Sequence, residues 1–206
     1  MHKEILTPNQ IELLPMVKQF QKEFYLVGGT AIALHIGHRR SIDFDLFKFS
    51  TIRHRNIIAK IDSFNYPHHV TRRVTEQLNV IVHDVKFTFY QYPFKINATV
   101  NFEDMLRMPD LIDLAAMKAY ALGRSSKWKD YVDSYFLLRD YFTIHEIAQK
   151  ANLLYGELFS EKLFRAQLSY FEDIDYSEPV EYLIPAVPDD EIKKFLIDKA
   201  IDLFNE

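Results

Sequence analysis

Between Tyr25 and Phe47 the chain reads YLVGGTAIALHIGHRRSIDFDLF. No other stretch restricts the fold as tightly. A β-like run ends in two of the chain's five glycines. A segment with helical spacing follows, with Thr30 as its cap and Gly37 as its stop. Then SIDFDLF alternates as a strand does. Residues two apart on a strand share a face, so Ile42, Phe44 and Leu46 are expected on one side and Ser41, Asp43 and Asp45 on the other. Two neighbouring carboxylates repel unless a cation lies between them. Mg²⁺ suits that place, because one or two carboxylates plus substrate phosphates hold it. The plainer alternative is a half-exposed strand with solvated acids.

The glycine pair bears on that choice. Glycine lets backbone approach a ligand closely, and a helix N-terminus offers free N–H groups to phosphate. Gly28 and Gly29 thus fit a phosphate-holding turn placed just before a metal-holding strand, or else a simple hinge. His38, Arg39 and Arg40 lie between the two features. They suit phosphates or an RNA backbone, or form a solvated loop.

The remaining pattern indicates a small mixed sheet followed by a helical half, an α+β chain. LTPNQIELLPMVKQFQKE is expected to be a helix with Thr7 as N-cap and Pro8 in its first turn. TIRHRNIIAKIDSF is a second helix. QLNVIVHDVKFTFYQYPF makes two strands joined at His83–Asp84 within a meander over 70–100. MPDLIDLAAMKAYALGR and WKDYVDSYFLLRDY are helices, with Asp110 as a possible cap of the first and Asp113 in its first turn. More helices occupy the tail, the last running from Asp189 to the final residue. A boundary falls near 102–110. The net charge of −4 recruits no nucleic acid globally, so such contacts depend on local basic patches. There is no cysteine, which removes disulfides, Cys-ligated zinc and thiol catalysis. The N-terminus has no signal-peptide core and no apolar run has the length of a membrane span, so a cytoplasmic protein is expected. The histidines lack any metal-site spacing. Aromatic residues make up 15% of the chain, and those of FTFYQYPF are expected to fill the core rather than stack on a base.

On the helix from Asp110, Lys118 falls on the apolar stripe of Leu111, Leu114, Ala115 and Leu122. A lysine there needs a partner, and triphosphate or an aspartate would serve. Asp130 and Asp133 share a face of the next helix. Asp133 suits the positioning of Lys118, of the nucleotide sugar or base, or of the acceptor hydroxyl; Asp130 is the next candidate for that role, or else a surface charge beside Lys129. Arg124 and Lys127 lie between the helices and suit phosphate or solvent.

GGTAIALHIGHRRSIDFDLF, VKFTFYQYPF and DLIDLAAMKAYALGRSSKWKDYVDSYFLL together resemble the AbiEii/AbiGii-type toxins of the DNA polymerase β-like nucleotidyltransferase superfamily. The resemblance runs over about residues 5–140. It implies a nucleotidyltransferase core over 1–105 and a helical region over 106–206. It also implies transfer of NMP from an NTP with Mg²⁺ or Mn²⁺, tRNA as a known acceptor among relatives, and a DNA-binding antitoxin as partner. Gly28 and Gly29 match the phosphate-binding turn, with Ser41 as the hydroxyl residue before the acids and Arg40 as a nucleotide contact. Asp43 and Asp45 match the metal-binding carboxylates. Lys118 and Asp133 match the lysine and aspartate of the second signature.

Many relatives in the superfamily supply a third carboxylate as general base. Thr88 stands where it is expected, and neither Glu76 nor Asp84 replaces it, which leaves Asp43 or Asp133 for that role. Two other functions stay open. One is transfer to a protein or small molecule, Ser41 of the chain itself included. The other is a nucleotide- or antitoxin-binding module with degraded catalysis.

Overall fold

A computed structural model describes residues 1–122, 124 and 127–202. The chain divides into two compact units, Met1–Asp110 and Leu111–Glu206. Their organisation is α+β: among the described residues, the first holds one mixed sheet and three α-helices, and the second is built of helices.

In the first unit, α1 (Pro8–Lys18) starts in a capping box in which Thr7 and Gln10 bond each other's backbone N–H, with proline in its first turn. It buries Leu13, Leu14, Met16 and Val17 and stops before the expected QFQKE extension. Strand β1 (Tyr25–Val27) runs straight into α2 (Gly28–Ile36), which Gly37 ends. Thr30 is therefore inside the helix rather than its cap. Strand β2 (Phe44–Lys48) begins three residues later than the alternation indicated. Ile42 lies outside it and is 47% exposed, while Phe44 and Leu46 are fully buried. The strand expectation failed at Ser41–Asp43 because those residues are tied to α2 and not to a neighbouring strand.

Helix α3 (His54–Asp62) leads into a hairpin of β3 (His68–Val74) and β4 (Gln77–Val82), the first of which the pattern had not singled out as a strand. Strand β5 (Val85–Gln91) follows across His83 and Asp84, both at positive φ (47° and 64°), the backbone of a two-residue hairpin turn. Two short strands, β6 (Val100–Phe102) and β7 (Leu106–Met108), were not expected. At three residues each they are below the length at which alternation is readable. The sheet order is β3-β4-β5-β2-β1-β7-β6, with β2/β5 and β1/β7 parallel and the other pairs antiparallel.

The core contributed by β2, β4 and β5 lies on one side of the sheet, while β1 is buried on both. Phe44 and Leu46 pair with Phe87 and Phe89 across β2/β5. The Phe89 ring meets those of Phe20 (4.8 Å) and Phe24 (5.4 Å). All these side chains are at most 1% exposed, and each such burial contributes about 1.5–3 kcal/mol. Phe87 and Phe89 thus fill the core, as the composition suggested.

The second unit contains α4 (Leu111–Ala121), α5 (Trp128–Asp140), α6 (Ile144–Tyr155), α7 (Glu161–Leu168) and α8 (Asp189–Ile201). Helices α4 and α6 are joined by stacked Tyr120 and Tyr155 rings (4.0 Å) and a Lys150–Asp113 ion pair (3.0 Å). Between α5 and α8, the Tyr135 ring meets Phe195, and the Trp128 indole N–H donates to Asp189. A second capping box, Thr143 with Glu146, opens α6. Gly123 and residues 203–206, assigned above to helices, lie outside the described residues. Among the described residues, no helix is long and apolar enough to cross a membrane.

Candidate active site

The turn from β1 into α2 is built on Gly28. Its φ of +71° is a left-handed value that side chains disfavour. Antiparallel pairing sets Val27 opposite Asp45, so the carboxylate of Asp45 comes against this turn. A Cβ on Gly28 would stand 2.3 Å from Asp45 Oδ2, so the absence of a side chain is what admits the carboxylate. Val27 provides no side-chain cap for the N-terminus of α2. The positive end of the helix dipole favours anions at this point.

Thr30, one turn into α2, fastens the next segment. Its hydroxyl bonds the carbonyl of Asp43 and lies 2.9 Å from Ser41 Oγ. A carbonyl only accepts, so Thr30 donates its single proton there, and Ser41 supplies the proton of the second contact. Both hydroxyls are buried. Asp43 is held through its backbone while its carboxylate, 29% exposed, faces Lys86 Nζ at 3.8 Å. Thr88 is the register partner of Asp45 on β5. The strand beside β2 thus presents a hydroxyl where a third acid would stand.

The basic triplet is not a solvated loop. His38 and Arg39 are 1% and 2% exposed. Arg39 Nη1 donates to the Arg40 carbonyl (2.9 Å), and Nη2 would lie 2.6 Å from a Cβ placed on Gly29. Arg40 turns the other way: its Nη1 donates to the Leu6 carbonyl at 2.9 Å, with the Glu4 and Ile5 carbonyls at 3.4 and 3.5 Å. The guanidinium beside the glycine turn therefore belongs to Arg39. Sequence alone cannot choose between adjacent arginines, since local pattern does not show which way a loop residue points.

In the second unit, Lys118 of α4 lies between Asp130 (2.6 Å) and Asp133 (2.9 Å) of α5. The side-chain exposures are 9%, 18% and 0% respectively. The apolar-stripe lysine thus has aspartates as partners, and Asp130 is a full member of the cluster rather than a surface charge. Lys129, its expected neighbour, pairs with Glu178 (3.2 Å). Lys127 also pairs with Glu178, and the Arg124 guanidinium covers the Tyr120 ring at 3.9 Å.

Among the described residues no group of three His, Asp or Glu side chains converges as a metal cage. The donor set of Asp43 and Asp45 nevertheless suits Mg²⁺ or Mn²⁺, which take hard carboxylate oxygens and complete their shell from substrate phosphate and water.

Comparison with known proteins points to nucleotidyltransferases. The model of the family described as "Nucleotidyl transferase AbiEii toxin, Type IV TA system" matches residues 16–102. An uncharacterized protein of Aquifex aeolicus (strain VF5) is 29% identical over 162 residues, covering 73% of this chain and 75% of that one. A Helicobacter pylori structure solved as a candidate nucleotidyltransferase superposes with a TM-score of 0.60 at 17% identity, over 97% of this chain and 91% of that one. MenT4, a nucleotidyltransferase toxin from Mycobacterium tuberculosis H37Rv, superposes with a TM-score of 0.58 at 12% identity, over 95% and 83%. The fold is that of the polymerase β-like nucleotidyltransferases.

Proposed function

We propose, from the premise that residues 16–102 make this chain an AbiEii-type nucleotidyltransferase, that it moves NMP from an NTP to RNA as the toxin of a type IV pair. The observation that carries this reading is the carboxylate of Asp45 seated on Gly28 at the start of α2, with Asp43 fixed beside it through Thr30. A tRNA 3′ end is the acceptor we favour, and a DNA-binding antitoxin is the expected partner.

In this reading the backbone of Gly28 and Gly29 and the α2 dipole receive the triphosphate. The buried Arg39 guanidinium adds positive charge beside Gly29. Asp43 and Asp45 would hold Mg²⁺ or Mn²⁺, which when bound neutralises phosphate charge and polarises the phosphorus. The acceptor oxygen forms its bond to the α-phosphorus as the bond to the bridging oxygen breaks, and pyrophosphate leaves. The acceptor proton passes to Asp43, whose carboxylate is 29% exposed, since Thr88 cannot take it. Lys118 Nζ is held by two aspartates of α5, Asp130 and Asp133. That pairing favours a tie between α4 and α5 over a direct role on pyrophosphate. Ser41, buried and bonded to Thr30, is poorly suited to be an acceptor. Thr88 opposite Asp45 is the one observation that favours a binding module with degraded catalysis.

The test is to incubate the protein with each α-labelled NTP and total RNA. Label is expected in RNA with at least one NTP, and Asp45→Asn should reduce it by more than about 10²-fold. RNA left unlabelled by all four NTPs, or an Asp45→Asn variant as active as the native chain, would overturn the reading.

A further inference from the structure

The side of the sheet facing away from the phenylalanine core has a composition that the nucleotide site does not explain. Asp45 pairs with Thr88, Thr88 with Asn79, and Asn79 with Arg72. Residues paired across strands project to the same side. The four therefore form one row from β2 through β5 and β4 to the edge strand β3. Three inter-strand steps of ~4.8 Å make this row about 14 Å long. Lys86 and Tyr90 flank Thr88 on the same side of β5. Every member of the row is half-buried or exposed, whereas Phe44, Leu46, Phe87, Phe89, Leu78 and Val80 on the opposite side are fully buried.

Charge adds a second argument. Strand β3 carries two histidines and two arginines and no acid, in a chain whose net charge is −4. Arg72 and Arg73 are exposed and make no ion pair among the described residues. Cations on an edge strand also discourage edge-to-edge pairing. That accounts for β3, but not for Thr88 and Asn79, which stand on interior strands and extend the polar surface inward to Asp45.

We propose that the row Asp45–Thr88–Asn79–Arg72 is the track for the single-stranded end of the RNA acceptor. The terminal hydroxyl lies at the Asp45 end, and the phosphates behind it lie on Lys86 and Arg72. This rests on the reading of RNA as acceptor. The track has the length of about four stacked nucleotides at ~3.4 Å each. The half-exposed Tyr90 ring offers a stacking surface. Cations, a hydroxyl and an amide contact backbone more than base edges, so recognition along the track is largely independent of sequence.

Two measurements test it. The first is anisotropy of a fluorescein-labelled single-stranded oligoribonucleotide of about ten nucleotides, titrated at several salt concentrations. Arg72→Ala should weaken binding about tenfold and lower the salt slope by about 0.7, the contribution of one phosphate contact. Arg72→Lys should restore most of both, and affinity for a fluorescent ATP analogue should not change. The second is the transfer assay on RNA, in which Arg72→Ala should raise KM for RNA more than it lowers kcat. If the native chain labels RNA and Arg72→Ala binds and labels it equally well, the track is wrong and the transferase reading stands. If the native chain labels no RNA yet binds the oligonucleotide through Arg72, the track stands and the transferase reading fails. Unchanged RNA binding by Arg72→Glu, with escape from neutralisation by the antitoxin, would assign this edge to a protein and overturn the track.

Discussion

Replacing Gly28 by alanine separates a backbone effect from an effect on the Asp45 carboxylate. The backbone term follows from φ = +71°: a side chain in the left-handed region costs about 1–2 kcal/mol. Gly156 is a control for a side chain at positive φ without crowding, since its φ is +55° (with ψ −134°) and nothing lies within 4 Å of the Cβ it would acquire. At Gly28 the new methyl would stand 2.3 Å from Asp45 Oδ2. This is more than about 1 Å inside normal contact, so the carboxylate must withdraw by a similar distance. A displacement of ~1 Å in a reacting group can cost about 10²-fold in rate. Urea unfolding should therefore show both Gly28→Ala and Gly156→Ala destabilised, by at least about 1 kcal/mol each. Nucleotidyl transfer, measured where both variants are folded, should fall about 10²-fold for Gly28→Ala alone. The reasoning is refuted if Gly28→Ala transfers within about threefold of Gly156→Ala, a difference below 1 kcal/mol in the barrier.

Two further outcomes follow from buried charge. Lys118→Met leaves Asp133, fully buried, without its cation and should destabilise the chain by about 3–5 kcal/mol in urea unfolding. Adding Asp133→Leu should recover more than half of that loss, and a double variant no more stable than Lys118→Met alone would contradict the pairing. His35 is half-buried and its Nε2 bonds the Pro109 carbonyl at 3.2 Å. Burial, partly opposed by that hydrogen bond, holds its pKa below the ordinary histidine value. The unfolded chain then takes up the proton first as pH falls, so this contribution to stability is complete above about pH 6.5 and is lost below it. His35→Gln should flatten the stability profile just below about pH 6.5, and equal slopes in the two proteins there would contradict this assignment.

Features set by neighbours along the chain are legible in the sequence itself. The Thr7 cap with Pro8, the His83–Asp84 turn and the stop at Gly37 depend on backbone preferences that act over a few residues. The glycine pair and the two aspartates can be read as halves of one site because a short helix is all that separates them. The apolar stripe establishes that Lys118 needs a partner, since an unpaired buried ammonium is costly. It does not establish which partner, because Asp130 and Asp133 reach it only through the packing of α4 on α5. The choice of Arg39 over Arg40 at Gly29 likewise depends on where the chain's N-terminal carbonyls lie. Ser41–Asp43 leave the strand because Thr30 bonds that segment from a different element. The row from Asp45 to Arg72 joins residues far apart in the chain by strand register alone. Alternation assigns each of them a face, and only the pairing of β2, β5, β4 and β3 makes those faces one surface.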